Sequence, residues 1–216
     1  MIGPNARVLF QGDSITDAGR LRDADAANDH GGLGRGYAQI AAGTLLAERP
    51  ADALQIFNRG VSGDRIIDLH ARWKVDALKL KPTVLSILVG INDLLHEHFS
   101  GNGVELPRFE KLYRELLSWT REVLPEVGLV MGEPFALPCG AMDPAWMEQL
   151  KPRQAVVRTL ADEFGAVFVP YQTLFDQAAT EAPMTYWLGD GFHPTSAGHA
   201  RMAQLWLERV SAGPGA

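Results

Sequence analysis

Val8-Leu9-Phe10-Gln11-Gly12-Asp13-Ser14-Ile15-Thr16-Asp17 begins as a short apolar run of strand-forming residues and breaks at Gly12, with a serine two residues on. A strand that ends so abruptly in glycine is expected to be buried and parallel, handing over to a loop at its C-terminal edge. Open α/β sheets bind their ligands at that edge. A serine delivered there is a candidate nucleophile, and it needs a base, an orienting carboxylate and oxyanion donors from elsewhere. Taken alone, Asp and Ser after a strand are equally ordinary turn formers and helix caps. The stretch is also not a nucleophile elbow, because Thr16 stands where Gly-x-Ser-x-Gly requires its second glycine.

Outward from this stretch, apolar strands alternate with amphipathic helical segments. Val8 to Gln11 reads as the first strand, Leu54 to Asn58 as the second and Thr83 to Val89 as the third; Gly128 to Gly132 and Val167 to Val169 follow as the fourth and fifth. Thr83 to Val89 is nearly continuous in β-rich apolar residues, which suits burial on both faces. Helices are expected over Tyr37 to Glu48, from Ile66 to Leu80, along the Phe109, Leu112, Tyr113 and Leu116 face, and over Asp143 to Phe164. Pro152 predicts a kink or a break in the last of these. Leu94 to Leu106 reads as a loop. A final helix starts at Thr195 or Ser196, with Ala203, Trp206, Leu207 and Val210 inward, and residues 213 to 216 read as a flexible tail. The alternation predicts a three-layer α/β/α sandwich with a five-stranded parallel sheet in flavodoxin-like order 2-1-3-4-5, as one domain over residues 1 to 216.

Composition narrows the function. With 216 residues and a net charge of −6 the chain is expected to bury a substantial core and not to be a general nucleic-acid binder. No signal peptide or membrane-length apolar run is read, and the single cysteine, Cys139, cannot form an internal disulfide, so the cytoplasm is the expected compartment.

Three further segments carry chemistry: Asn58-Arg-Gly-Val-Ser-Gly63-Asp64 after the second strand, Gly90-Ile91-Asn92-Asp93 after the third, and Asp190-Gly-Phe-His193-Pro194 before the last helix. A spacing of three lets the Asp190 carboxylate accept from His193 Nδ1–H, leaving Nε2 free to take a proton from a serine; a capping aspartate and a surface histidine would look the same. Gly63 offers either a backbone N–H to an oxyanion or a left-handed turn, and Asn92 either a side-chain donor or an Asx turn. Ile91, Trp187 and Phe192 flank the site as candidate substrate-binding residues, with Trp187 equally suited to core or interface. Asp13 and Asp93 are expected to brace loops, with Asp13 also a candidate for binding. His96-Glu97-His98 lacks a third ligand at a recognisable spacing, so no metal is expected. Gly31 to Gly36 matches neither a dinucleotide fingerprint nor a P-loop and reads as a mobile rim; no cofactor is implied. Cys139 has no flanking base and reads as structural.

Together these segments resemble the GDSL-type esterases of the SGNH hydrolase superfamily. Ser14 in Gly-Asp-Ser-Ile, Gly63 in Val-Ser-Gly, Asn92 in Gly-Ile-Asn-Asp and Asp190-x-x-His193 match its four blocks in order. The resemblance implies Ser14 as nucleophile, His193 as base and Asp190 as its orienter. It also implies an oxyanion hole of the Ser14 and Gly63 N–H groups and the Asn92 side chain. Asp17-Ala-Gly-Arg20, Gly34-Arg-Gly-Tyr37, Asn58-Arg-Gly-Val-Ser-Gly63, Ala71-Arg-Trp73 and Glu133-Pro-Phe135 are similar to the branch that contains intracellular acetylxylan esterases. That branch implies removal of O-acetyl groups from short oligosaccharides, or from another short-chain ester, and assembly as homo-oligomers. A lysophospholipase or acyl-thioesterase on the same machinery is the alternative enzyme, and a catalytically silent carbohydrate-binding module the alternative of another class.

Overall fold

A computed structural model describes residues 1 to 213; three of the four positions of the expected tail lie outside the described residues. The sheet is built from β1 (Arg7–Gly12), β2 (Gln55–Asn58), β3 (Val84–Leu88), β4 (Gly128–Gly132) and β5 (Val167–Val169), all parallel in the order β2-β1-β3-β4-β5. β1 therefore has a neighbour on each side, with Phe10 opposite both Asn58 and Ser86. The expected order and strand positions are those found.

Side chains alternate between the two faces, as strand geometry requires. Val8, Phe10, Val84, Val130 and Val169 meet one helical layer, α2 (Tyr37–Glu48) and α9 (Ser196–Ala212), joined by α7 (Tyr171–Ala178) and α8 (Met184–Trp187). Leu9, Leu85, Ile87, Leu129, Met131 and Phe168 meet the other, α3 (Ile66–Asp76), α5 (Leu106–Val123) and α6 (Pro144–Glu163). Covering both faces is what makes β3 apolar at nearly every position. Its one polar side chain, Ser86, accepts a hydrogen bond at 3.0 Å from the indole N–H of Trp206, itself fully buried against the ring of Phe10 at 4.8 Å. Trp206→Ala is expected to cost about 3–5 kcal/mol in chemical denaturation, from the cavity and the orphaned Ser86 hydroxyl.

Four expectations need correction. Leu94 to Leu106 is not a loop throughout: α4 (Ile91–Ser100) occupies its first part, burying Ile91, Leu94 and Leu95 on one side and ending at the left-handed Gly101. His96 and His98 are thus helical, and His98 stacks on Trp146 with centroids 4.2 Å apart. Pro152 breaks nothing. α6 runs through it as one helix, held by Arg153, which donates to Gln149 O at 3.2 Å and to Val104 O at 2.7 Å and so ties this turn to the α4–α5 connection. The helix expected to Leu80 ends at Asp76, and Leu78–Leu80 forms a separate 3-10 turn. Finally, Leu207, expected inward, is only half-buried; α7 and α8 occupy a stretch for which no element was expected.

Candidate active site

The C-terminal edge of β1 is shaped by Gly12. A β-carbon there would collide with the Leu88 carbonyl on β3 and the Thr16 hydroxyl, so only glycine lets the chain turn this tightly beside its neighbour. The turn leads into α1, a single helical turn over Ser14–Asp17. Asp13 caps it by accepting from Ile15 N–H at 3.0 Å, which leaves Ser14 as the first helical residue, half-exposed at the sheet edge.

Ser14 Oγ lies 2.8 Å from His193 Nε2, and His193 Nδ1 lies 2.7 Å from Asp190 Oδ2. The second oxygen of Asp190 accepts from the N–H groups of His193 at 2.8 Å and Phe192 at 3.1 Å. Partial burial pushes the Asp190 carboxyl up, but the hydrogen bonds from the His193 ring and from these two N–H groups outweigh it and hold the group below its ordinary value. It is therefore an anion facing Nδ1, which places the ring proton there and directs the Nε2 lone pair to Ser14. The loop is held by its own pairing: Leu188 bridges Pro194, and Gly189 N–H donates to His193 O at 3.0 Å. Leu137 N–H and Ala141 N–H reach across from the β4–α6 connection to Gly191 O and Asp190 O, each at 2.8 Å.

Gly63 sits in the loop after β2 with φ +87°, a left-handed conformation that a side chain would strain, and the space on its Cβ side is open. Among the described residues neither its N–H nor that of Ser14 has an acceptor. Asn92 is the second residue of α4, so the Asx-turn alternative does not apply. Its amide spends one hydrogen on Asp64 O at 3.1 Å and keeps the other.

The remaining sequence-predicted residues are mostly buried. Ile91, Trp187 and Phe192 are buried, Phe192 with its ring centroid 4.7 Å from that of His193 and Trp187 under the guanidinium of Arg201 at 5.3 Å. Cys139 is half-buried with its Sγ 3.6 Å from Leu188 O. Asp13 is 1 % exposed, which leaves its side chain to the bracing role. Asp93 is fully buried and accepts from Ile66 N–H at 3.0 Å, tying α4 to the start of α3. His199 escaped the sequence reading, because a lone helical histidine carries no local signal. Its Nδ1 accepts from Tyr37 N–H at 3.1 Å at the start of α2, and burial, then the neighbouring His193, lower its pKa to about 4, so it serves as a neutral acceptor.

Burial raises the Asp13 carboxyl to about 7 against the pull of the Ile15 N–H, with Asp93 and Asp64 adding to the rise. Such a group favours the folded state fully below the unfolded value of about 3.8, and that contribution is lost as the pH climbs through about 7. Asp13→Asn removes this titration. Denaturation of both proteins at pH 5 and pH 8 is expected to show the variant gaining on the wild type at the higher pH; an unchanged difference would contradict the assignment.

A model of the GDSL-like Lipase/Acylhydrolase family matches residues 10–201. The chain belongs to that family. This acylhydrolase is 32% identical over 213 residues to the acetylxylan esterase of Geobacillus stearothermophilus, covering 97% of this chain and 95% of that one. It superimposes with a TM-score of 0.94 on a protein from Parabacteroides merdae described as a GDSL-like lipase, at 39% identity and 98% coverage of both chains. A catalytic mutant of the Geobacillus acetylxylan esterase, carrying alanine for a serine, superimposes with a TM-score of 0.88 at 30% identity, over 97% of this chain and 95% of that one. The acylhydrolase is thus a carboxylic ester hydrolase with the α/β fold of its relatives. No helix among its described residues is long and apolar enough to cross a membrane.

Proposed function

We propose that this acylhydrolase is a serine esterase that removes O-acetyl groups from short oligosaccharides through an acyl-enzyme. The observation that carries the serine mechanism is the unbroken hydrogen-bonded chain Ser14 Oγ–His193–Asp190, with the ring's Nε2 turned to the serine. His193 takes the Ser14 proton as Oγ attacks the ester carbonyl. The Ser14 and Gly63 N–H groups and the free Asn92 amide hydrogen stabilise the oxyanion. His193 then protonates the leaving alcohol as the C–O bond breaks. Water adds to the acyl-enzyme by the same steps in reverse order, releasing the acid and restoring Ser14. Phe192 against the His193 ring would bound the space for the acyl group, with Ile91 and Trp187 as further candidates to shape it.

The acetyl-sugar assignment is supported by the 32% identity to an acetylxylan esterase along nearly the whole chain. It is tested by acetylated xylo-oligosaccharides followed by mass spectrometry and by a nitrophenyl ester series. Stepwise loss of 42 Da per acetyl group, a consequence of its formula, and a sharp fall in kcat/KM beyond acetyl are expected. A rise with chain length would instead identify a lysophospholipase or thioesterase. Homo-oligomers, as the resemblance implies, are expected in light scattering.

A further inference from the structure

Three segments similar to the acetylxylan esterase branch, Asp17-Ala-Gly-Arg20, Asn58-Arg-Gly-Val-Ser-Gly63 and Ala71-Arg-Trp73, take no part in the proton relay. In the fold they converge beneath it. Asp17, the last residue of α1, is buried. Its Oδ1 accepts from Gly19 N–H at 3.1 Å and Arg20 N–H at 3.2 Å, closing the turn that carries Ser14. Its Oδ2 accepts from Ser62 N–H at 3.0 Å, and Ser62 immediately precedes Gly63. Arg22 completes the anion's surroundings at 3.3 Å.

Arg72 on α3 does the same from the other side. Its guanidinium donates to Gly12 O at 3.2 Å, to Arg59 O at 2.8 Å and to Asp64 Oδ2 at 2.6 Å. Gly12 lies two residues before Ser14, and Asp64 lies one residue after Gly63. The carbonyl of that same Asp64 receives the Asn92 amide. The loops of the two backbone donors are thereby joined by charge-assisted hydrogen bonds on both flanks, and the third donor leans on the junction.

We propose that Asp17 and Arg72 are positioning residues that set the separation of the Ser14 and Gly63 N–H groups so that both reach one oxyanion. The physical ground is that oxyanion donors act only within a few tenths of an ångström of the developing charge, and a shift of about 1 Å costs on the order of 10²-fold in rate. Planar guanidinium and carboxylate forks fix such spacings better than single neutral bonds. The proposal rests on the serine-esterase reading above.

Its test uses Asp17→Asn, Arg72→Met and Arg72→Lys in the full chain, with nitrophenyl acetate as substrate and phenylboronic acid as a tetrahedral probe of the oxyanion site. Asp17→Asn keeps size but turns an N–H₂ toward the Ser62 N–H or the Gly19 turn; lysine can reach only one of arginine's acceptors at a time. Leu160→Ala, a cavity in the core of α6 outside the site, serves as a control matched for loss of thermal stability. For Asp17→Asn and Arg72→Met, kcat is expected to fall roughly 10–100-fold with KM within about threefold. The boronate inhibition constant should rise by the same factor as kcat falls, and Arg72→Lys should recover part of the loss. Should Arg72→Met not fold, Asp17→Asn and Arg72→Lys decide the matter. Losses no greater than those of Leu160→Ala, or a rise in KM at constant kcat, would overturn the proposal. Full activity of Ser14→Ala would overturn the underlying reading instead, so the two failures are distinguishable.

Discussion

Ser14→Ala is expected to lower kcat for acetyl esters by on the order of 10⁵-fold, about 7 kcal/mol of transition-state stabilisation, while leaving substrate affinity nearly unchanged. The change deletes only the oxygen that would attack, and among the described residues that oxygen's one hydrogen-bond partner is the His193 ring at 2.8 Å. Nothing structural hangs on it, because Ser14 is half-exposed and α1 is capped by Asp13. Its melting temperature should therefore stay close to that of the wild type. A residual rate above that in water would come from the oxyanion donors and binding alone.

Asp190→Asn is the second large effect, and its size comes from a tautomer rather than a lost contact. Asparagine's oxygen keeps accepting the backbone N–H groups of Phe192 and His193, so the loop retains its shape. The position now held by Oδ2 becomes an N–H₂ facing Nδ1. The ring then accepts at Nδ1 and carries its proton on Nε2, which points at Ser14 and cannot take the serine's proton. A loss of roughly 10⁴-fold in kcat with little change in KM is expected at neutral pH. Loss of less than tenfold would show that the carboxylate does not set the tautomer. The protein should also titrate differently, because the variant lacks the anion that now sits below its ordinary pKa.

How far these residues could be read from sequence depends on the range of the interactions that define them. β4 and β5 lie within the boundaries expected, because a short apolar run closed by glycine or proline has only one comfortable structure between two helical layers. The Asp190-x-x-His193 spacing made their contact possible across three residues, but a capping aspartate and a surface histidine fitted it equally; the fold decides between them with a contact of 2.7 Å. α4 was missed because its buried Ile91, Leu94 and Leu95 are followed directly by His96, Glu97 and His98, whose polarity suggested a loop. Pro152 misled because Arg153 anchors its turn through Val104, a contact 49 residues away. Asp17 and Arg72 stood in quoted motifs, yet their partners lie 45 and 60 residues off in Ser62 and Gly12, beyond the reach of any local pattern.

The most direct test of the serine-esterase account is reaction with a fluorophosphonate at neutral pH, followed by intact-mass and peptide mass spectrometry. The account predicts a single adduct, on the peptide bearing Ser14, together with loss of esterase activity in proportion to labelling. It also predicts labelling slowed by at least 10³-fold in His193→Ala. Esterase activity that survives complete labelling of Ser14, or an adduct on another residue that accompanies inactivation, would contradict it.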